Sequence, residues 1–437
     1  MLRGAVIGSC VLLFTLAFQS CPGPRSRNFR IHYTTQEPFK EGDIEYIYKP
    51  LYANNFFIAR EDGDKVLYLK DPVSKKETRQ VIHKVKRVVC LSTTHIAYLD
   101  AINETRSIVG VSGRQYIYND KLRNAKDVGY ESAINYEALM SLEPDVVFAY
   151  AVPGQPADYI QKIRQLGMNV VEVPEHLEDH PLGKAEFLVA FAAFFDKEVM
   201  AMEQFHWIYQ TYEEYRLLAR QTVTLRQRRK AAENGHRKPK PPDTPNNTPP
   251  DTPNNTPPDT PDNTPIETPN NTPIETPNDT PPDTPDNTSQ DTSFKPVKVL
   301  INAPFKDVWY IPGTESHQHI LIRDAGGVVL GSEPGKKTAV ISTEQAYIYS
   351  LEAEFWLHPN QFSDLESLAA LDQRFAQSEA FRLGNVWNNN LRSTPAGGSD
   401  YFESGAVSPH LILADLIAIF YPEALPKHKF VFYKKLD

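Results

Sequence analysis

Residues 127–150 read DVGYESAINYEALMSLEPDVVFAY, and this stretch decides the fold. Residues 136–142 carry a helix pattern, and 146–149 (Val-Val-Phe-Ala) form a short apolar strand bounded by polar residues. Outward from it the same alternation repeats. Apolar runs at 88–91, 109–111 and 170–173 read as strands, and 157–166 reads as a helix. Residues 86–180 therefore predict an α/β lobe with a parallel sheet. Residues 294–437 repeat the logic: strands at 299–302, 340–341 and 355–357, helices at 319–325, 365–371 and 408–420, with Gly326-Gly327 closing the first helix.

Between the lobes, 181–232 reads as helix. One helix spans 181–195. Asp196 then predicts an N-cap for a second helix from 197 to about 225, with an apolar stripe of Val199, Met202, Phe205, Tyr209 and Tyr212. At about 1.5 Å per residue it spans roughly 40 Å, the width of a domain. Residues 21–85 carry aromatic-rich alternating runs and predict a small N-terminal β extension. The expected class is α/β: two Rossmann-like lobes joined by a long rigid helix. The unbroken helix implies a small closure on binding.

The ends and totals add context. The 437 residues carry a net charge of −9, which argues against nucleic acid as a partner. Residues 1–20 read as a lipoprotein signal: Arg3, an apolar run at 5–18, then Ser20-Cys21. Cys21 is the expected lipidation site and membrane anchor. Cys10 would leave with the signal, and Cys90, in an apolar run, reads as a buried small hydrophobe. Residues 233–293 enclose six octads of the PPDTPNNT type, at 241–288, holding nine acidic residues and no basic ones. Such a Pro/Thr/Asn repeat cannot bury a core and is expected to be disordered and extended, reaching roughly 150 Å. A basic cluster precedes it: Arg226, Arg228, Arg229, Lys230, Arg237 and Lys238.

The chain resembles the helical-backbone (class III) periplasmic binding proteins that serve siderophore, haem and cobalamin ABC importers. In the first lobe the likeness rests on VVCLSTTHIAYLDAI, IVGVSG and the 127–150 stretch; in the second, on WYIPGTESHQHILIRDAGG, ISTEQAYI and DYFESGAVSPHLILADLIAIFYP. EHLEDHPLGKAEF, at 175–187, is similar to the lipoprotein branch of Bacteroidetes-type bacteria. The resemblance implies a monomeric carrier in the periplasm or cell envelope, working with an ABC permease and its ATPase. The expected cargo is an iron chelate or haem, or alternatively cobalamin, with no cofactor and no catalysis. A scavenger or a chelate-processing enzyme would be the rival readings. By motif position Glu137 and Glu344 would dock the permease. The ligand would sit on the loops after the strands. Tyr116, Tyr118, Tyr130, Tyr150, Trp309, Tyr310, Trp387 and Tyr401 are candidate walls, with Ser316 and Asp400 as polar contacts. His95, which stands where an acidic residue is common, and His317 and His319 are weak metal-ligand candidates; no bare-metal site is expected. Residues 331–338 resemble a phosphate loop but are one residue short and precede an apolar run.

Overall fold

A computed structural model describes residues 39–41, 44–130, 133–152, 157–235, 295–306 and 308–437. The expected signal, Cys21 and the octad repeat lie outside the described residues.

The chain opens with an antiparallel meander of five strands: β1 (Phe39–Glu41), β2 (Ile44–Tyr48), β3 (Phe56–Glu61), β4 (Asp64–Lys70) and β5 (Glu77–Val81). Alternation sends Phe56, Ile58, Leu67 and Leu69 inward, where they join the first-lobe core.

The first lobe comprises β6 (Val88–Cys90), α1 (Thr93–Ala101), β7 (Ile108–Val111), β8 (Lys126–Asp127), α2 (Tyr136–Ser141), β9 (Val146–Ala149), α3 (Asp158–Gln165) and β10 (Val170–Glu172). The sheet order is β10-β9-β6-β7-β8, and every pairing is parallel. Its central strands are apolar on both faces because each face is covered. Val88, Cys90, Val146 and Phe148 serve one core, and Val89, Val147 and Ala149 serve the other. Cys90 is a buried free cysteine, as expected.

Two helices follow. In α4 (Pro181–Ala192), Leu182 and Ala185 face the second-lobe core while Phe187 to Ala192 face the first. The next helix, α5, covers Glu198–Gly235, 38 residues and roughly 57 Å. Ala201 packs in the first core; Phe205, Ile208, Tyr212, Ala219 and Val223 pack in the second. The bridging helix is thus present and ten residues longer than expected. Two details differ. Val199 is exposed, because the buried stripe starts at Ala201. Asp196 is not an N-cap: it has φ +55° and ends the preceding turn, where Lys65 and Lys84 hold its carboxylate at 3.1 Å.

The second lobe comprises β11 (Val297–Ile301), β12 (Trp309–Ile311), α6 (His317–Asp324), β13 (Gly327–Val329), β14 (Ala339–Ile341), α7 (Thr343–Glu352), β15 (Phe355–Leu357), α8 (Leu365–Ala369), α9 (Glu379–Arg382), β16 (Val386–Asn388), α10 (Pro409–Phe420) and β17 (Lys434–Lys435). The sheet order is β13-β11-β15-β16-β17, parallel except for β17. Residues 340–341 belong instead to a two-stranded ribbon with β12. The left-handed cap at the end of α6 is Gly326, φ +89°; Gly327 already begins β13.

Candidate functional site between the lobes

In each sheet the strand order reverses beside the first strand, between β6 and β9 and between β11 and β15. Crevices form outside the carboxyl ends of strands at such points. In the second lobe this edge is strained: Asn302, Lys306, His358 and Asn360, all in the loops after β11 and β15, have φ between +50° and +67°. A hydrogen-bond web holds them. Asn302 donates to the Tyr310 carbonyl at 2.7 Å, Trp356 donates to the Asn302 carbonyl at 2.7 Å, and Asn388 donates to the Asn360 and Phe362 carbonyls.

In the first lobe His95 lies in the first turns of α1, fully buried among Phe148, Tyr150 and Phe191. Its Nε2 is 3.4 Å from Glu175 Oε1. Burial pushes the Glu175 carboxyl up, but the imidazoles of His95 and His176 beside it outweigh this and hold it well below the usual carboxylate range. Tyr150 meets both His95 and His176 edge-on. Among the described residues no group of three or more His, Cys, Asp or Glu is arranged to hold a metal ion.

A half-open cavity of about 910 Å³ lies between the lobes, beside α1 and α5. The first lobe supplies Asp100, Tyr118, Asp120 and Arg123; α5 supplies Trp207; the second lobe supplies Arg392, Asp400, Glu403 and His410. Both arginines are engaged: Arg123 with Asp120 at 2.7 Å and Arg392 with Asp400 at 3.0 Å. The Arg392 guanidinium also lies 5.1 Å from the centre of the Tyr118 ring. Trp207, 57% exposed, sets its ring edge-on to His410 at 4.9 Å.

Of the residues expected to line a site, Tyr118 and Asp400 meet at this cavity. Tyr116 and Tyr130 stand beside each other, half-exposed, with ring centres 6.2 Å apart. Tyr310 is exposed on β12, and Trp387 packs on Phe430 at 4.8 Å. Two expectations are corrected. Trp309 is a core residue, 1% exposed, packed on Trp356 and Phe375 and donating to the Ile301 carbonyl. Tyr401 is likewise buried against His358, Phe432 and Tyr433. Ser316 caps α6, its hydroxyl accepting from the His319 amide. His317 and His319 lie on that helix, where i and i+2 rings diverge. His319 Nδ1 is 2.9 Å from the Ser332 hydroxyl. The 331–338 stretch precedes β14, not a helix, as its sequence implied. Glu137 and Glu344 are both exposed in the first turns of α2 and α7, where the helix dipole favours a carboxylate.

The sequence reading missed the charges that join the parts. Glu186, wholly buried, accepts from Tyr48 Oη and from the amides of Leu51, Tyr52 and Ala53, each at 2.7 Å. Glu178 accepts from the amides of Asn54 and Asn55. A lone carboxylate inside the apolar run 182–195 was the available signal for Glu186. Asp179 pairs with Lys336 across the lobes.

Residues 88–214 match the family model described as periplasmic binding protein. The molybdate periplasmic binding protein MolA of Haemophilus influenzae, solved with molybdate bound, superimposes with a TM-score of 0.51 at 16% identity, covering 83% of this chain and 94% of that one. The chain has the periplasmic binding protein fold. An uncharacterized lipoprotein of Methanocaldococcus jannaschii is 30% identical over 246 residues, 46% of this chain. The chain spans 58% of that curated relative's length. The expected likeness to periplasmic binding proteins thus holds for the fold. None of these matches singles out the bacterial branch suggested by 175–187. Among the described residues no helix is long and apolar enough to cross a membrane.

Proposed function

We propose that this chain is the lipid-anchored substrate-binding protein of an ABC importer in the cell envelope. It holds a metal chelate between its lobes, carries out no chemistry on it, and delivers it to a permease through Glu137 and Glu344. The observation that carries the reading is the cavity of about 910 Å³, walled by both lobes and floored by the helix that joins them. That volume suits a ligand of several hundred daltons.

Charge narrows the cargo. MolA was solved with a small oxyanion, but here Arg123 and Arg392 are each already paired with a carboxylate. Asp100 is likewise paired, with Lys121 at 2.5 Å, so the described lining offers an anion no unpaired arginine. A neutral or cationic ferric chelate fits this wall best, and amide-rich cobalamin fits next. Haem ranks third because its propionates would find both lining arginines already paired. Titration of the full chain with a hydroxamate ferric siderophore, cyanocobalamin, haemin and molybdate, followed by Trp fluorescence, tests this. Saturable one-to-one binding of a chelate without turnover supports it. Binding of molybdate alone, or turnover of any chelate, sinks it.

A further inference from the structure

The second lobe reaches across to the first through residues 392–407. Glu403, 3% exposed, places its carboxylate on the backbone of the opposite lobe. Oε2 accepts from the Tyr118 amide at 2.8 Å and Oε1 from the Asn119 amide at 3.0 Å. Nearby, the Thr94 hydroxyl donates to the Phe402 carbonyl at 3.2 Å. Gly398 lies so close to Tyr116 that a Cβ there would stand 1.9 Å from the Tyr116 carbonyl oxygen. Arg392 closes the same seam by covering the Tyr118 ring. Tyr118, Asn119, Arg392 and Glu403 all line the inter-lobe cavity. The seam and the cavity wall are therefore one structure.

We infer that Glu403 is the latch between the lobes, and that letting go of the Tyr118 and Asn119 amides is how the cavity opens. A carboxylate suits the task. Two charge-assisted bonds to backbone amides hold a loop firmly whatever its side chains do. Yet the groups around Glu403 do not favour its charge. Burial opposes it most, and Asp400, from its own segment, and Asp100, from α1, add to this, while Arg392 is bound to Asp400 and Lys121 to Asp100. The closed seam is thus held by geometry against a partial electrostatic penalty, which makes it releasable. The bridging helix limits the motion to this edge, so the opening is a parting of 392–407 from 114–122 rather than a swing of whole lobes.

Hydrogen exchange on the full chain, resolved to short peptides, tests the latch without any ligand, so its outcome is independent of the cargo reading. In Glu403→Ala the amides of Tyr118 and Asn119 should exchange roughly tenfold faster or more, on the strength of two lost charge-assisted bonds. Rates within β9 and the middle of α5 should stay as in the parent. Gly398→Ala attacks the same seam by steric pressure alone and should release the same two amides. If Glu403→Ala does not fold, Gly398→Ala and Glu403→Gln carry the test. Unchanged exchange at Tyr118 and Asn119 in the folded variants would overturn the latch. So would a uniform rise across both lobes, which would make Glu403 an ordinary stability residue.

Discussion

The N-terminal meander and the second lobe both pack on the first lobe, and they are joined to it in opposite ways. The meander shares the first lobe's apolar core: Phe56 meets Phe187 of α4 at 4.6 Å, and Ile58, Leu67 and Leu69 lie in the same cluster. Two buried carboxylates, Glu186 and Glu178, then take six donors from the meander and the loop that follows β2. The second lobe has its own core and touches the first through α4, α5, the polar seam at Glu403 and Val407, which lies in the first-lobe cluster. One junction is a shared apolar core closed by buried carboxylates. The other encloses a cavity and can part.

Substitutions should separate the two junctions. Glu186→Ala strands four donors in an apolar setting and should cost about 3–5 kcal/mol of stability in urea unfolding. Phe187→Ala should cost about 3–5 kcal/mol by opening a cavity in the shared core. A loss below about 1 kcal/mol in both would mean the meander is only loosely attached. On the other side, Tyr212 of α5 donates to Asp324 of α6 at 2.8 Å, both buried. Tyr212→Phe leaves that carboxylate short of a donor and should cost about 1–3 kcal/mol.

pH should move the junction and the second lobe in opposite directions. Burial, only partly offset by the bonds from Asn55 and Asn54, raises Glu178 to about 7 from an ordinary 4.5. The docked state therefore binds a proton there first, and the Glu178 contact tightens as pH falls from about 7 toward 4.5, while His180 beside Tyr52, lowered by burial to about 4, works against it elsewhere in the junction. Burial pushes His319, His358 and His410 down to about 4, about 3 and about 4. The unfolded chain protonates these histidines below about 6.5 while the folded lobe resists, so the second lobe loses stability as pH falls from there. Hydrogen exchange at pH 7.5 and 5.5, corrected for intrinsic rates, should show the Asn54 and Asn55 amides better protected in acid and the segments around His358 and His410 less so. Parallel changes in both regions would contradict the contrast.

The smallest effect on stability is expected at the exposed acids. Glu137→Ala and Glu344→Ala should each change stability by less than about 0.5 kcal/mol. Together they should slow growth on a limiting ferric chelate. Unimpaired growth would remove permease docking from the account.

The lobes were legible in the sequence because fully covered parallel strands are continuous apolar runs, as at 146–149. β16 was missed because Val-Trp-Asn is too short to carry a period, and β13 because its glycine reads as the end of the previous helix. Aromatics at strand ends look alike whether they face a cleft or a core, so Tyr118 and Trp309 could not be told apart. Glu403 gave no signal at all. Its partners are backbone amides 285 and 284 residues earlier in the chain, and amides have no side-chain identity to read.

A chelate held by both lobes at once should shield both walls of the cavity. Hydrogen exchange on the full chain, with and without saturating ferric hydroxamate siderophore or cyanocobalamin, tests it most directly. Slower exchange is expected on both walls of the cavity, at 115–123 and 392–411, with the meander unchanged. Protection confined to one lobe, or found away from these walls, would contradict it.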